Sequence, residues 1–174
     1  NSYLFVAFAI GKWTQQTCSE MLANFKCSLR PSRKGEKVEV FTDGNDDYTY
    51  ALPKFFMVKR LNYAQLLKIR DANGRLIRKE IKVVYGCPDC GDVETVNVEN
   101  FNSILRERVG RLVRKSKCFS KKKHKLACVL WLFQFYWNFI SQIKRGVTPA
   151  MMEERATHVW TWHKFYYWKL SYLT

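Results

Sequence analysis

Acidic residues are scarce: 15 Asp and Glu stand against 30 Lys and Arg in 174 residues, a formal net charge of +15. So little negative charge makes basic partners poor company and points to nucleic acid or an anionic membrane. Long apolar runs are missing too. The longest, Leu126–Ile140, has 15 residues and is interrupted by Gln134 and Asn138, whereas a membrane-spanning helix needs about 20. It reads as a buried core helix. The opening stretch Tyr3–Ile10 lacks the basic leader and small-residue cleavage site of a signal peptide. The six cysteines lack the dense spacing of a secreted disulfide scaffold, which suits a reducing cytoplasm. Only Cys87-Pro-Asp-Cys90 has metal-ligand spacing, and without a second pair zinc is not expected; the reading is a tight turn with free thiols. His158 and His163, five apart, fall on different faces of a helix and do not suggest a metal pair.

Aromatic residues, by contrast, are plentiful, with 6 Trp, 9 Tyr and 12 Phe, and 47% of the chain is hydrophobic, enough for a sizeable core. Tyr3–Ile10 reads as a buried strand and Thr14–Phe25 as a helix, with Met21, Leu22 and Phe25 at helical spacing. Ser28–Glu36 is a basic loop carrying Pro31 and Gly35. Lys37–Thr42 alternates as a short strand and runs into the turn Asp43-Gly44-Asn45-Asp46-Asp47. Strands Tyr63–Arg70 and Arg75–Tyr85 flank Asp71-Ala72-Asn73-Gly74, a strong hairpin signal. Val98–Arg114 reads as an amphipathic helix with Phe101, Leu105, Val109 and Leu112 on one face. Leu126–Ile143 is a second helix ended by Gly146, and Thr148-Pro149 caps and starts a third. The order predicts a mixed α/β domain with a helical C-terminal half.

The densest charge lies in Arg106–Lys125, where ten basic residues face Glu107 alone, a net +9 in 20 residues. Such a run is usually a solvated face, but its self-repulsion costs stability unless phosphates neutralise it. Arg106, Arg108, Arg111, Arg114, Lys115, Lys117, Lys121, Lys122 and Lys123 are the candidate DNA contacts. Two carboxylates are notable for their placement. Asp43 closes a strand, and Glu99 sits at the start of the helix that leads into the basic run. Phosphodiester chemistry uses acids converging on Mg²⁺, which activates a water or 3′-hydroxyl and stabilises the leaving oxygen. Taken alone the two acids also fit a common turn and a dipole-favoured helix start.

Val98-Glu99-Asn100-Phe101-Asn102, followed by Leu105-Arg106, Arg111-Leu112, Arg114-Lys115-Ser116 and Phe119-Ser120-Lys121, resembles the end of a DDE transposase of the insertion-sequence-one family. There a glutamate-bearing helix with the pattern I-E-R-x-N is followed by R-L, R-K and F-S-K at similar offsets. Thr42-Asp43, with Tyr48 five residues on, is similar to the family's T-D-x-x-x-x-Y segment, and Phe133–Phe139 and Thr148–Met152 also look like its members. About a dozen positions agree in order over roughly residues 37–145. The resemblance implies an RNase H-like fold: a mixed five-stranded sheet with flanking helices and an Asp-Asp-Glu triad binding two Mg²⁺ (or Mn²⁺). Asp43 would be the second acid and Glu99 the third, both metal ligands, with Arg106 and the later cations holding the DNA end. Two features depart from the family. The hairpin Tyr63–Tyr85 lengthens the interval between the two acids, and before Asp43 the only acids are Glu20, Glu36 and Glu39.

The resemblance therefore reads residues 1–145 as a catalytic domain without its first strand, and 146–174 as an aromatic helical tail. It implies DNA transposition on double-stranded DNA, both transposon ends and target, in the cytoplasm of a prokaryote at the nucleoid. Assembly into homo-oligomers and no membrane partner are further expectations of the family. The chain is expected to bind DNA but not to cut it alone. The competing reading is a non-catalytic nucleic-acid-binding protein whose tail residues Trp160, Trp162, Tyr166, Tyr167 and Trp168 stack on bases, while Trp131, Tyr136 and Trp137 serve the core. A third class is a protein of the anionic membrane surface.

Overall fold

The computed structural model describes residues 2–30, 33, 35–91, 96–113, 117 and 120–167. The fold is mixed α/β, with one small sheet and several helices. It divides into two compact units, Ala7–Asn100 and a second made of Asn1–Val6 with Phe101–Thr174.

The first unit is built on a three-stranded sheet in the order β1-β2-β3, from β1 (Val38–Asp43), β2 (Leu61–Arg70) and β3 (Leu76–Tyr85). β1 lies parallel to β2 and β2 antiparallel to β3. The expected hairpin is present, and Gly74 takes a φ of +79°, a left-handed turn conformation that suits a residue without Cβ. Five strands are implied by the resemblance; three are seen among the described residues. Helix α1 (Gln15–Ser28) starts where Thr14 caps it, its side chain accepting from Thr17 N. Helix α2 (Asp47–Phe55) has no counterpart in the sequence reading, since Pro53 inside it obscures the helical pattern. Val38, Val40 and Thr42 turn to one face of β1, while Glu39, Phe41 and Asp43 are exposed on the other. Leu22, Ala51, Leu52, Leu61 and Tyr63 form the buried core, with Val40, Tyr48 and Tyr85 packed against it.

The second unit is helical and aromatic. Helix α3 (Val96–Arg108), whose first residues belong to the first unit, ends six residues before the predicted Arg114. Val109 leaves helical geometry and a 3₁₀ turn, Gly110–Leu112, follows; glycine at this point lowers the helix's propensity to continue. Helix α4 (Lys123–Phe135) passes into a π-helical turn, Tyr136–Ile140, closed by Ser141 N donating to Tyr136 O at 2.7 Å. Thr148 caps the short helix α5 (Pro149–Met152) as expected, its hydroxyl accepting from Met151 N. Helix α6 (Trp162–Tyr166) carries the aromatic tail. Among the described residues no helix is long and apolar enough to cross a membrane.

Tyr3–Ile10 is not a strand. Side-chain amides take the place of a partner strand for its first part: Asn138 Nδ2 donates to Phe5 O at 2.8 Å, and its Oδ1 accepts from Phe5 N at 2.9 Å. Gln134 Nε2 donates to the carbonyls of Phe5 and Val6, and Trp137 Nε1 to that of Tyr3. Asn138 follows Gln134 by four residues, so both reach the same segment. The apolar side chains pack around this polar seam, with Phe5 edge-on to Phe101 and Phe101 edge-on to Trp137. An unbroken apolar stretch signals burial but does not specify which groups satisfy its backbone.

Candidate nucleic-acid interface

Asp43 stands at the C-terminal end of β1, exposed, and its Oδ1 accepts from Asn45 N at 3.4 Å. Asn45 Oδ1 accepts from Asp47 N at 3.0 Å, so two Asx turns carry the chain from the strand into α2. Asp43 and Asp47 line a cleft of about 260 Å³ together with Lys12, Thr14, Cys18 and Tyr48. Burial, with Cys18 and Asp43 adding to it, pushes the Tyr48 hydroxyl up to about 12. Burial raises the Cys18 thiol as well, with Asp47 reinforcing the shift, so the thiolate is disfavoured.

Glu99 lies in the first turn of α3, where its Oε1 accepts from Lys68 Nζ on β2. The parallel register sets Asp43 opposite Leu66, and Lys68 follows Leu66 by two on the same sheet face. Glu99 is therefore anchored toward the strand end that Asp43 closes, but it does not line the Asp43 cleft. Among the described residues no three His, Cys, Asp or Glu side chains form a group that could hold a metal. Lys68 holds Oε1 of the Glu99 carboxylate, while Asp43 lines its own cleft. Cys87 and Cys90 are free thiols in a turn, Cys87 N donating to Asn62 Oδ1 and Cys90 Sγ to Pro88 O.

The basic run gives a more definite site. Arg108, Arg111, Lys121, Lys122 and Lys125 line one cleft of about 670 Å³, with Val109, Gly110 and Val129 completing it. Among the described residues no carboxylate lines it. The two sides reach this charge for different reasons. Arg106 and Arg108 occupy the last turn of α3, where the helix dipole favours cations. Lys122 is the N-cap residue of α4, and Lys123 and Lys125 fall in its first turn. No acid lies in that turn and no side chain caps it. Cations there oppose the dipole, so their charge adds to the positive field of the helix start, a field suited to an anion. Ser120 pins the connecting loop, accepting from Arg111 Nη1 at 3.5 Å and donating to Lys122 O at 3.2 Å.

Arg108 also reaches out of the cleft. Its Nη1 donates to Tyr136 Oη at 2.9 Å, and its guanidinium lies 6.0 Å from the centre of that ring. Tyr136, expected in the core, is half-buried and stacks on Trp162 with ring planes 4° apart. Lys125, Val129, Leu132 and Tyr136 follow at helical spacing, so one stripe of α4 leads from the cleft to this aromatic pair. That spacing was legible in the sequence, but the basic head of the stripe and its apolar remainder belong to two differently composed segments.

Of the other expected contacts, Arg106 is half-buried and lines no cleft, while Lys117 and Lys123 are exposed away from the cleft's lining. Arg114 and Lys115 lie outside the described residues, as does Trp168. Trp160 packs in the aromatic cluster, edge-on to Phe135. Compared with family models, curated proteins and solved structures, the chain matches none.

Proposed function

We propose that the chain is a DNA-binding protein of the transposase kind, RNase H-like in its catalytic part, that holds double-stranded DNA through the cleft of Arg108, Arg111, Lys121, Lys122 and Lys125. The observation that carries the reading is five cations converging on one cleft whose lining contains no acid. A phosphodiester backbone supplies the missing charge, and binding releases its condensed counterions. With a slope of about −0.9 per neutralised phosphate, five contacts give roughly −4 to −5 in log Kd-derived affinity against log salt. Contacts of this kind fix position on the duplex and carry little sequence preference.

On the same reading Asp43 and Glu99 are the second and third acids, and Mg²⁺ or Mn²⁺ would activate the attacking oxygen and stabilise the leaving one. Lys68 holds Glu99 in an ion pair, which favours a chain that binds without cutting. A gel-shift titration across salt, run beside a nicking assay on supercoiled DNA with Mg²⁺ or Mn²⁺, tests both parts. Expected are tight, steeply salt-dependent binding and no nicking. Cleavage that disappears in Glu99→Gln would overturn the second part, and binding indifferent to salt would overturn the first.

The second reading, a binding protein with no catalytic ancestry in its acids, is favoured by the same Lys68–Glu99 pair. It separates from the first if Lys68→Ala, which removes the ion pair to Glu99, still gives no metal-dependent change in DNA binding or cleavage.

A further inference from the structure

Joined to the cationic cleft through Arg108 is an aromatic cluster whose outer rings are left partly exposed. Trp162 is 39% exposed and Tyr166 is 75% exposed, although both rings belong to a packed cluster. Trp162 stacks on Tyr136, lies edge-on to Phe165 and is tilted 34° against Tyr166. Arg108 joins the two surfaces, since it lines the cleft and also donates to Tyr136. Aromatic side chains of this size are normally buried, because leaving them in water forfeits a large hydrophobic gain. A duplex keeps its bases stacked on one another and offers phosphates and groove edges but no free base faces. A single strand offers both phosphates for the cleft and free base faces for the rings.

We propose that Trp162 and Tyr166 form a base-stacking platform, so that the cleft and the platform together bind single-stranded DNA and hold unpaired bases beside the phosphate grip. The inference rests on the cleft holding a nucleic-acid backbone and adds the class of strand it takes. Charge complementarity selects this occupant: through Tyr136 the platform joins Arg108 of the five-cation cleft, a charge that an apolar protein surface would leave unmatched and a polynucleotide neutralises.

Fluorescence anisotropy of the full chain with a short oligothymidylate, and with a blunt duplex of the same length at the same salt, tests it. Stacking of one base predicts that Trp162→Leu weakens single-strand binding by roughly 5- to 100-fold. Tyr166→Ala, at an exposed position, lowers it in the same direction, and Trp162→Phe restores most of the loss. Duplex binding stays unchanged in all three, and the oligonucleotide quenches tryptophan emission of the unmodified chain. Equal losses on both DNAs, or no loss on either, would overturn the platform while leaving the duplex grip standing. Failure of the unmodified chain to bind any DNA would overturn both. Binding to phosphatidylserine vesicles that the oligonucleotide does not displace would assign the surface to a membrane instead.

Discussion

The two units differ most in how they dispose of charge. Ala7–Asn100 carries fifteen Lys and Arg against twelve Asp and Glu, a net +3. Asn1–Val6 with Phe101–Thr174 carries the other fifteen cations against only three acids, a net +12. The sheet unit settles its charge internally: Arg30 pairs with Glu36, Lys68 with Glu99 and Arg78 with Glu80. The helical unit gathers its charge into a cleft lined without an acid. The first arrangement pairs charge within the fold, and the second leaves the charge that the proposed DNA backbone would neutralise. Equal numbers of cations thus lead to opposite roles, and the number of nearby carboxylates decides which.

The strongest way to break this contrast is to remove the cleft's charge. Arg111→Gln, Lys121→Gln, Lys122→Gln and Lys125→Gln combined should flatten the salt slope of DNA binding by roughly 3 to 4 units. The same variant should be no less stable in urea, because like charges at the start of α4 repel each other and the helix dipole. A loss of stability alongside the loss of binding would show that these side chains support the fold. A core substitution supplies the opposite pattern. Leu52→Ala in the sheet unit, at a side chain fully buried against Leu22 and Tyr63, should cost about 2–5 kcal/mol in urea unfolding without changing the salt slope of the folded fraction.

A third test concerns the polar seam of the helical unit. Asn138 is 6% exposed and bonds both the N–H and the carbonyl of Phe5. Asn138→Leu removes the acceptor of the Phe5 N–H and one of the two amide donors to its carbonyl, the other being Gln134 Nε2, and should cost about 1–3 kcal/mol by the same measurement. Asn138→Asp, which retains the acceptor but loses the donor, should recover part of it at low pH, where the carboxyl is protonated and donates again.

The seam also marks the limit of what could be read from the chain. The hairpin around Asp71–Gly74, the cap at Thr148 and the strand ending at Asp43 follow from local chemistry and are present where expected. Tyr3–Ile10, expected as a buried strand, is instead a half-buried stretch without strand pairing, because the groups that bond Tyr3, Phe5 and Val6 lie more than a hundred residues away. Helix α2 escaped notice because Pro53 weakens the local signal and tertiary packing of Ala51 and Leu52 overrides it. The cations of the cleft were identified as a run, but only their convergence separates Arg108 and Arg111, which line it, from Lys117 and Lys123, which do not.

Smaller effects sharpen the comparison through pH. The Tyr48 hydroxyl, raised to about 12 from its ordinary 10, holds its proton more tightly in the folded chain. Its contribution is therefore complete below pH 10 and is lost as pH rises toward 12. Tyr48→Phe should remove that part of the alkaline decline in a urea-midpoint profile; an unchanged profile would exclude Tyr48 as its source. The smallest effect is expected at Glu36, whose carboxyl the Arg30 guanidinium holds below its ordinary value. A lowered carboxylate supports the fold above the ordinary value and loses that support as pH falls through the lowered one. The pair is solvent-screened, so Glu36→Gln should leave the urea midpoint at neutral pH unchanged within error.

By itself the sequence determined the charge imbalance, its concentration in Arg106–Lys125 and the alternation that ends a strand at Asp43, because these depend on composition and on neighbours a few residues away. The tertiary structure decided which charges are paired. Lys68 reaches Glu99 across 31 positions, whereas Arg108, Arg111, Lys121, Lys122 and Lys125 meet where no carboxylate follows. Coulomb energy depends on separation in space, and spacing along the chain fixes that separation only within a helix, a strand or a turn.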